Sequence, residues 1–181
     1  MVKEERTISS EQIFKGKVLG LRVETVSMPT GRLSVREIVE HGASVVVVPI
    51  TQDGEVVLVR QYRKAVERTL LEAPAGGIEN GESPEDAAAR ELREETGYQA
   101  ERFIRVGGFW SSPGFSTEYM HVFLAEGLRS GTALPEEDEI IQLEIVPLAQ
   151  SLDMVRSGRI EDAKSVAALL LVDGLGNESG Q

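Results

Sequence analysis

The chain has 181 residues, enough for one domain of ordinary size with a buried core, and carries 30 Asp and Glu against 19 Lys and Arg, a net charge of -11. That balance, with no Lys- or Arg-rich run, argues against a nucleic-acid backbone or an anionic membrane as partner, and an anionic substrate would need help from a cation. No cysteine, no bilayer-length apolar run and no signal peptide in the polar start Met-Val-Lys-Glu-Glu-Arg make the cytoplasm the expected address.

From about Phe14 to Val39 the sequence predicts a small antiparallel sheet, a meander of two or three strands. Leu19, Leu21 and Val23 alternate with Gly20, Arg22 and Glu24, and Pro29-Thr30-Gly31 supplies a turn before Leu33 and Val35. So small a sheet is marginal alone and must pack on the main domain or on a second subunit; it is either an extension of the main sheet or a separate subdomain. Ala43 to Ile50 is a continuous apolar run, as expected for a central strand covered on both faces. Asp53-Gly54 marks a turn, and Glu55 to Gln61 is expected to complete a hairpin with it.

A helix is expected from Pro84 to about Thr96. Ser83 caps its start in an S-x-x-D box with Asp86, Pro84 suits the first position, Ala87, Ala88, Ala89 and Leu92 favour helix, and Gly97 suits the left-handed turn beyond the end. Further strands are predicted at Arg105 to Trp110, Tyr119 to Ala125 and Ile140 to Val146. Two helices follow Pro147: Leu148 to Ser157, ending at Gly158, and about Asp162 to Val172, ending at Gly174. The expected architecture is α/β, a mixed sheet between helices, with residues 1–41 as the N-terminal sheet, 42–175 as the main domain and 176–181 as a frayed tail.

On the first helix Glu91, Glu94 and Glu95 fall at i, i+3 and i+4, so three carboxylates share one face. A Glu-rich face is ordinarily solvated surface. Their mutual repulsion makes better sense around a cation, and a hard divalent ion such as magnesium takes oxygen ligands, including phosphates and water. The loop Pro74-Ala75-Gly76-Gly77 leads in, and its glycines allow the backbone to present a carbonyl to the same ion.

The spacing is more specific than the charge. Gly76, Glu82, Arg90, Glu91, Leu92, Glu94, Glu95 and Gly97 fit G-x5-E-x7-R-E-U-x-E-E-x-G-U, where U is a bulky aliphatic residue; only the last position departs, with Tyr98. This stretch resembles the Nudix box. Beyond it, Ser111-Ser112-Pro113-Gly114, with Pro113 fifteen positions after Tyr98, resembles the segment that marks the ADP-ribose pyrophosphatase branch. Gln61-Tyr62-Arg63, Leu71 to Gly76, Arg36-Glu37 and Glu40-His41-Gly42 resemble further segments of that branch, so the likeness covers nearly the whole chain.

The resemblance implies a Nudix fold and magnesium-dependent hydrolysis of ADP-ribose to AMP and ribose 5-phosphate, with manganese or zinc as substitute ions. It implies Glu91 and Glu95 as principal metal ligands with the Ala75 carbonyl beside them, Glu94 as a further ligand or supporting group, and Arg90 as the residue that orients the glutamates. In the acidic segment Glu136-Glu137-Asp138-Glu139, it implies Glu137 as base and Glu139 as metal helper, or the two roles exchanged. Arg36 and Arg63 would contact adenosine or diphosphate, Glu72 would lie near the substrate and Glu118 would bind the terminal ribose. Each of these charges is otherwise ordinary surface or a strand-end ion pair. Members of the branch are homodimers that exchange their N-terminal sheets, which would explain a marginal sheet standing first. His41 and His121 lack metal-ligand spacing, and Tyr62, Trp110 and Phe115 read as core or lining. Two rival functions stand beside this one: a sister enzyme for another nucleoside diphosphate (a nucleotide sugar, NADH or FAD), and a non-catalytic ADP-ribose sensor, whose signature would be an eroded box.

Overall fold

The computed structural model describes residues 4–133 and 140–178. The chain falls into two compact units. One holds the chain up to Ala43 together with Trp110–Tyr119; the other holds Ser44–Phe109 and the chain from Met120 onward.

In the first unit, β1 (Arg6–Lys15), β2 (Leu19–Ser27) and β3 (Leu33–His41) form an antiparallel meander, with the turn at Pro29-Thr30-Gly31 closed by hydrogen bonds between Met28 and Arg32 and between Gly31 and Met28. The sheet is longer than the sequence predicts because most of β1 was not legible. Its large apolar residues, Ile8, Ile13 and Phe14, do not alternate with polar ones, so no period-two pattern marks it.

The second unit is built on β4 (Ser44–Pro49), buried at all six positions. It pairs parallel with β9 (Tyr119–Glu126) and antiparallel with β7 (Ala75–Gly77), in a mixed sheet of order β7-β4-β9-β8, where β8 is Arg102–Trp110. Because successive strand residues face opposite sides, its valines divide between two cores. Val45 and Val47 pack with Ala87, Ala88 and Leu92 of α1 (Pro84–Thr96), whereas Val46 and Val48 pack with Leu152 and Met154 of α2 (Leu148–Arg156) and Ala168 and Leu169 of α3 (Ala163–Glu178). Helices therefore cover both faces, as the apolar run requires.

The expected hairpin does not form. After β4 the chain passes into a second sheet of order β10-β5-β6, with β5 at Glu55–Arg63, β6 at Arg68–Glu72 and β10 at Ile141–Pro147; only the bridge between Ile50 and Val56 joins the two runs as the hairpin would. An Asp-Gly turn signals reversal but not whether the strands it joins stay paired. Helix α3 also overruns its predicted end at Gly174. A glycine costs about 1 kcal/mol in a helix, and the apolar face of Leu169 and Val172 is already packed before Gly174 and Gly176 are reached. Among the described residues no helix is long and apolar enough to cross a membrane.

Candidate metal and diphosphate site

Helix α1 has the predicted ends. Ser83 Oγ accepts from the Asp86 amide at 3.1 Å, and Gly97, at φ 75°, turns left-handed while its N–H donates to Arg93 O at 2.9 Å. The Ser83 hydroxyl also donates to Asp86 Oδ2 at 2.6 Å, a variation on the usual box in which the acid reaches the backbone. These caps fix where the glutamates of the helix point.

Arg90 gathers them. Its Nε and Nη2 hold Glu82 at 2.9 and 3.0 Å, its Nη1 meets Glu91 Oε1 at 2.8 Å and Glu94 Oε2 at 3.0 Å, and Nη2 also donates to Gly77 O at 2.8 Å. The Glu82 hydrogen bonds, then those to Glu91, raise the Arg90 pKa, and the Arg90 bond in turn holds Glu82 below the ordinary carboxylate range.

The loop is registered against β4: Val46 pairs with Ala75, Val45 with Gly76, and Val47 N–H donates to Pro74 O at 2.8 Å. Glu91 lies so close to Gly76 that a Cβ there would overlap its carboxylate. Glu95, 4% exposed, accepts from the Ala75 N–H through Oε2 at 3.3 Å. The first glycine of the motif is thus a steric requirement for Glu91.

Ala75, Glu91, Glu94 and Glu95 are brought to one end of α1. Among the described residues, though, no three acidic or imidazole side chains converge closely enough to cage an ion by themselves. Arg90 draws Glu91 and Glu94, while Glu95 turns to the backbone. Such a set fits a hard divalent cation held by one or two carboxylates and completed by water and phosphate, since every donor is oxygen. Glu137 and Glu139 lie outside the described residues.

Arg63 and Glu72 form a bidentate pair, Nε to Oε1 at 2.8 Å and Nη2 to Oε2 at 2.7 Å. Burial pushes the Glu72 pKa up, but the Arg63 bonds and the charge of Lys164 outweigh it and leave the carboxyl below its ordinary value. Lys164, Asp162 and Ser165, which complete this network, are absent from the site read from the sequence, where Asp162 marks only the expected start of the last helix; an Asp at that place is a capping residue type, which is the signal that could have found it.

The other two predicted substrate residues belong to the first unit. Arg36 is held by Glu5, Nε to Oε2 at 3.0 Å and Nη2 to Oε1 at 2.5 Å, and by Ser34 Oγ at 2.8 Å. The Ser111–Glu118 segment is stitched to β3 by Val39 N to Phe115 O at 2.7 Å and Thr117 N to Val39 O at 3.0 Å. This places the Glu118 carboxylate 3.5 Å from His41 Nδ1, a neighbour the sequence did not suggest. Arg36, Arg22, Glu37 and Phe115 line a cleft of about 420 Å³ within this unit. Tyr62, Trp110 and Phe115 are exposed rather than core.

Comparison with known proteins identifies the family. Residues 40–169 match the sequence model of the NUDIX domain. A protein of Bacillus subtilis (strain 168) named ADP-ribose pyrophosphatase is 47% identical over 168 residues, covering 92% of this chain and 91% of its own. One of Bacillus methanolicus, named methanol dehydrogenase activator, is 44% identical over the same shares of both chains. A crystal structure of an ADP compounds hydrolase superposes with a TM-score of 0.89 over 99% of this chain and 98% of that one at 24% identity, a likeness of fold. With Glu82, Glu91 and Glu94 gathered by Arg90, a glycine that leaves Glu91 room, and a match that spans most of its length, the chain belongs to the Nudix hydrolase family.

Proposed function

We propose that the protein hydrolyses the diphosphate bond of ADP-ribose, releasing AMP and ribose 5-phosphate, with magnesium as its ion. Nudix hydrolases generally need a divalent metal. The observation that carries the chemistry is the contact of Glu91 with Gly76 under the Arg90 clamp; the substrate is taken from the Bacillus subtilis relative. A bound cation would neutralise charge on the diphosphate and activate water. Glu91, Glu95 and the Ala75 carbonyl would hold it, with Glu94 and Glu139 assisting. Water oxygen attacks one phosphorus, the bridging P–O bond breaks, and Glu137, or Glu139 in the exchanged assignment, accepts the proton that water loses. Arg63 meets the diphosphate with Glu72 beside it, Arg36 contacts adenosine or diphosphate, and Glu118 meets the terminal ribose.

We also infer a homodimer in which residues 1–41 form the dimerising sheet and 42–175 the catalytic domain. The exposed Ile8, Ile13 and Phe14 of β1 support it, since such side chains gain by burial against a second copy.

The test is product analysis with purified protein and magnesium against ADP-ribose, NADH, GDP-mannose and FAD, beside a Glu95→Gln variant. Fastest cleavage of ADP-ribose, lost in the variant, supports the reading. Preference for another diphosphate keeps the chemistry and overturns the substrate. A second reading, action on a partner dehydrogenase, is favoured by the Bacillus methanolicus relative, and stimulation of methanol dehydrogenase turnover by the added protein would support it.

A further inference from the structure

Glu72 ends β6 with its side chain 1% exposed, and it is held by two cations where one suffices. The bidentate grip of Arg63 already balances its charge. Yet Lys164 Nζ also donates to Glu72 Oε2, the same oxygen that Arg63 Nη2 holds, so the two cations share one acceptor. Lys164 in turn brings its own carboxylate, with Nζ 2.9 Å from Asp162 Oδ2. Asp162 accepts from Ser165 N at 3.0 Å and from Ser165 Oγ, and that hydroxyl accepts from the Ala73 amide at 2.7 Å. The start of α3 is therefore tied to the segment that runs from Glu72 to Ala75. Arg63 stays 38% exposed, and the charges of Glu95 and Asp162 both reach it.

We propose that Lys164 and Asp162 are positioning residues of the diphosphate site, which through Glu72 set how much of the Arg63 positive charge is offered to the substrate. The proposal rests on the reading above that Arg63 meets the diphosphate. Arg63, Lys164, Glu72 and Asp162 sum to zero charge. Without Lys164 the group becomes net negative, Glu72 belongs to Arg63 alone, and an anionic substrate is repelled; without Asp162 it becomes net positive and the substrate is drawn in. Two neighbouring residues of one network thus act on substrate affinity with opposite sign. A scaffold role predicts the same sign for both, because either loss loosens the start of α3.

The experiment is steady-state kinetics of the full chain with ADP-ribose and magnesium for Lys164→Gln, Lys164→Arg and Asp162→Asn, each with a thermal melt. Lys164→Gln removes the charge while keeping a polar N–H donor, one atom shorter, on the same side of Glu72, and the charge lost near a phosphate site is expected to raise KM roughly five- to tenfold with kcat nearly unchanged. Lys164→Arg restores KM, and Asp162→Asn lowers it by about two- to threefold. A rise in KM for both Lys164→Gln and Asp162→Asn, a fall in kcat at constant KM, or an Arg variant as impaired as the Gln variant overturns the inference. If one variant fails to fold, the sign of the other decides. Wild-type protein that leaves ADP-ribose intact overturns the functional reading and this inference with it; an active wild type without the opposed signs overturns the inference alone.

Discussion

Replacing Gly76 by alanine separates stability from catalysis more cleanly than removing a glutamate. Gly76 lies in β7 paired with Val45, and its backbone is not in the left-handed region, so alanine suits the chain there; by itself the change would stabilise the fold by about 0.4–1 kcal/mol through the unfolded state. The new Cβ would stand inside the Glu91 carboxylate, which must retreat by about an ångström. The end of a flexible side chain yields at small cost, so the melting temperature should stay within a few degrees of wild type. The carboxylate cannot yield without leaving the position in which Arg90 holds it. A misplacement of about 1 Å at a reacting site costs on the order of a hundredfold in rate, and that is the expected loss in kcat/KM for ADP-ribose at saturating magnesium. The assay pairs thermal melting with a magnesium titration of activity. Wild-type activity in a well-folded Gly76→Ala protein would refute the argument that the glycine exists to admit Glu91, and a collapsed melt with no folded fraction would refute the claim that only the carboxylate has to move.

Four further outcomes are expected. Arg90→Gln leaves Glu82, Glu91 and Glu94 without their shared cation; it should lower stability by about 2 kcal/mol in urea titration, and magnesium should recover part of that loss because it replaces the missing positive charge. Ser83→Ala should cost about 1 kcal/mol in the same measurement and little activity, since Pro84 still starts the helix. Because the Glu72 pKa is lower in the folded protein, its contribution to stability is fully present above the unfolded carboxylate value of about 4.3 and is lost as pH falls through the folded value. The gap in urea midpoint between wild type and Glu72→Gln should therefore be wide at neutral pH and close in acid. Glu137→Gln should lower kcat with KM nearly unchanged, and a larger effect from Glu139→Gln would exchange the two roles.

The part of the site carried by α1 was legible because each of its constraints is local. A capping serine, a proline at the first turn, glutamates three and four residues apart and a left-handed glycine are all read between Ser83 and Gly97, and each acts within one turn of the helix. The double burial of β4 was legible for a similar reason, since an unbroken run of valines has no solvent-facing side to offer. The partner strand of β4 was not legible. Its nearest neighbour in sequence pairs elsewhere while β9, more than seventy residues on, lies parallel to it, because pairing is settled by what covers the sheet and not by the turn that leaves it. Most of strand β1 was missed because its large apolar residues, Ile8, Ile13 and Phe14, do not alternate with polar ones, so the period-two pattern that reveals a half-buried strand is absent.

The same distinction bears on what a charged residue is for. Read singly, Glu72 is a carboxylate at a strand end and Lys164 a cation near a helix start, and nothing in their spacing of ninety-two positions relates them. Folding places both on one buried oxygen together with Arg63, and only then does a surplus appear: a second cation where one balances the charge, followed by a second anion that balances the second cation. A buried ion pair gains little stability once desolvation is counted, so stability alone gives weak reason to add another pair beside a complete one. A role in setting the potential at Arg63 gives a strong one, because that guanidinium is little more than a third exposed while its neighbours are further withdrawn from water, and charges in such a setting act on a bound anion with less screening than surface charges do. On this argument the opposed shifts in KM for Lys164→Gln and Asp162→Asn should persist at several hundred millimolar salt, whereas shifts caused by surface charge would fade. Loss of both shifts on adding salt would return the pair to the solvated surface.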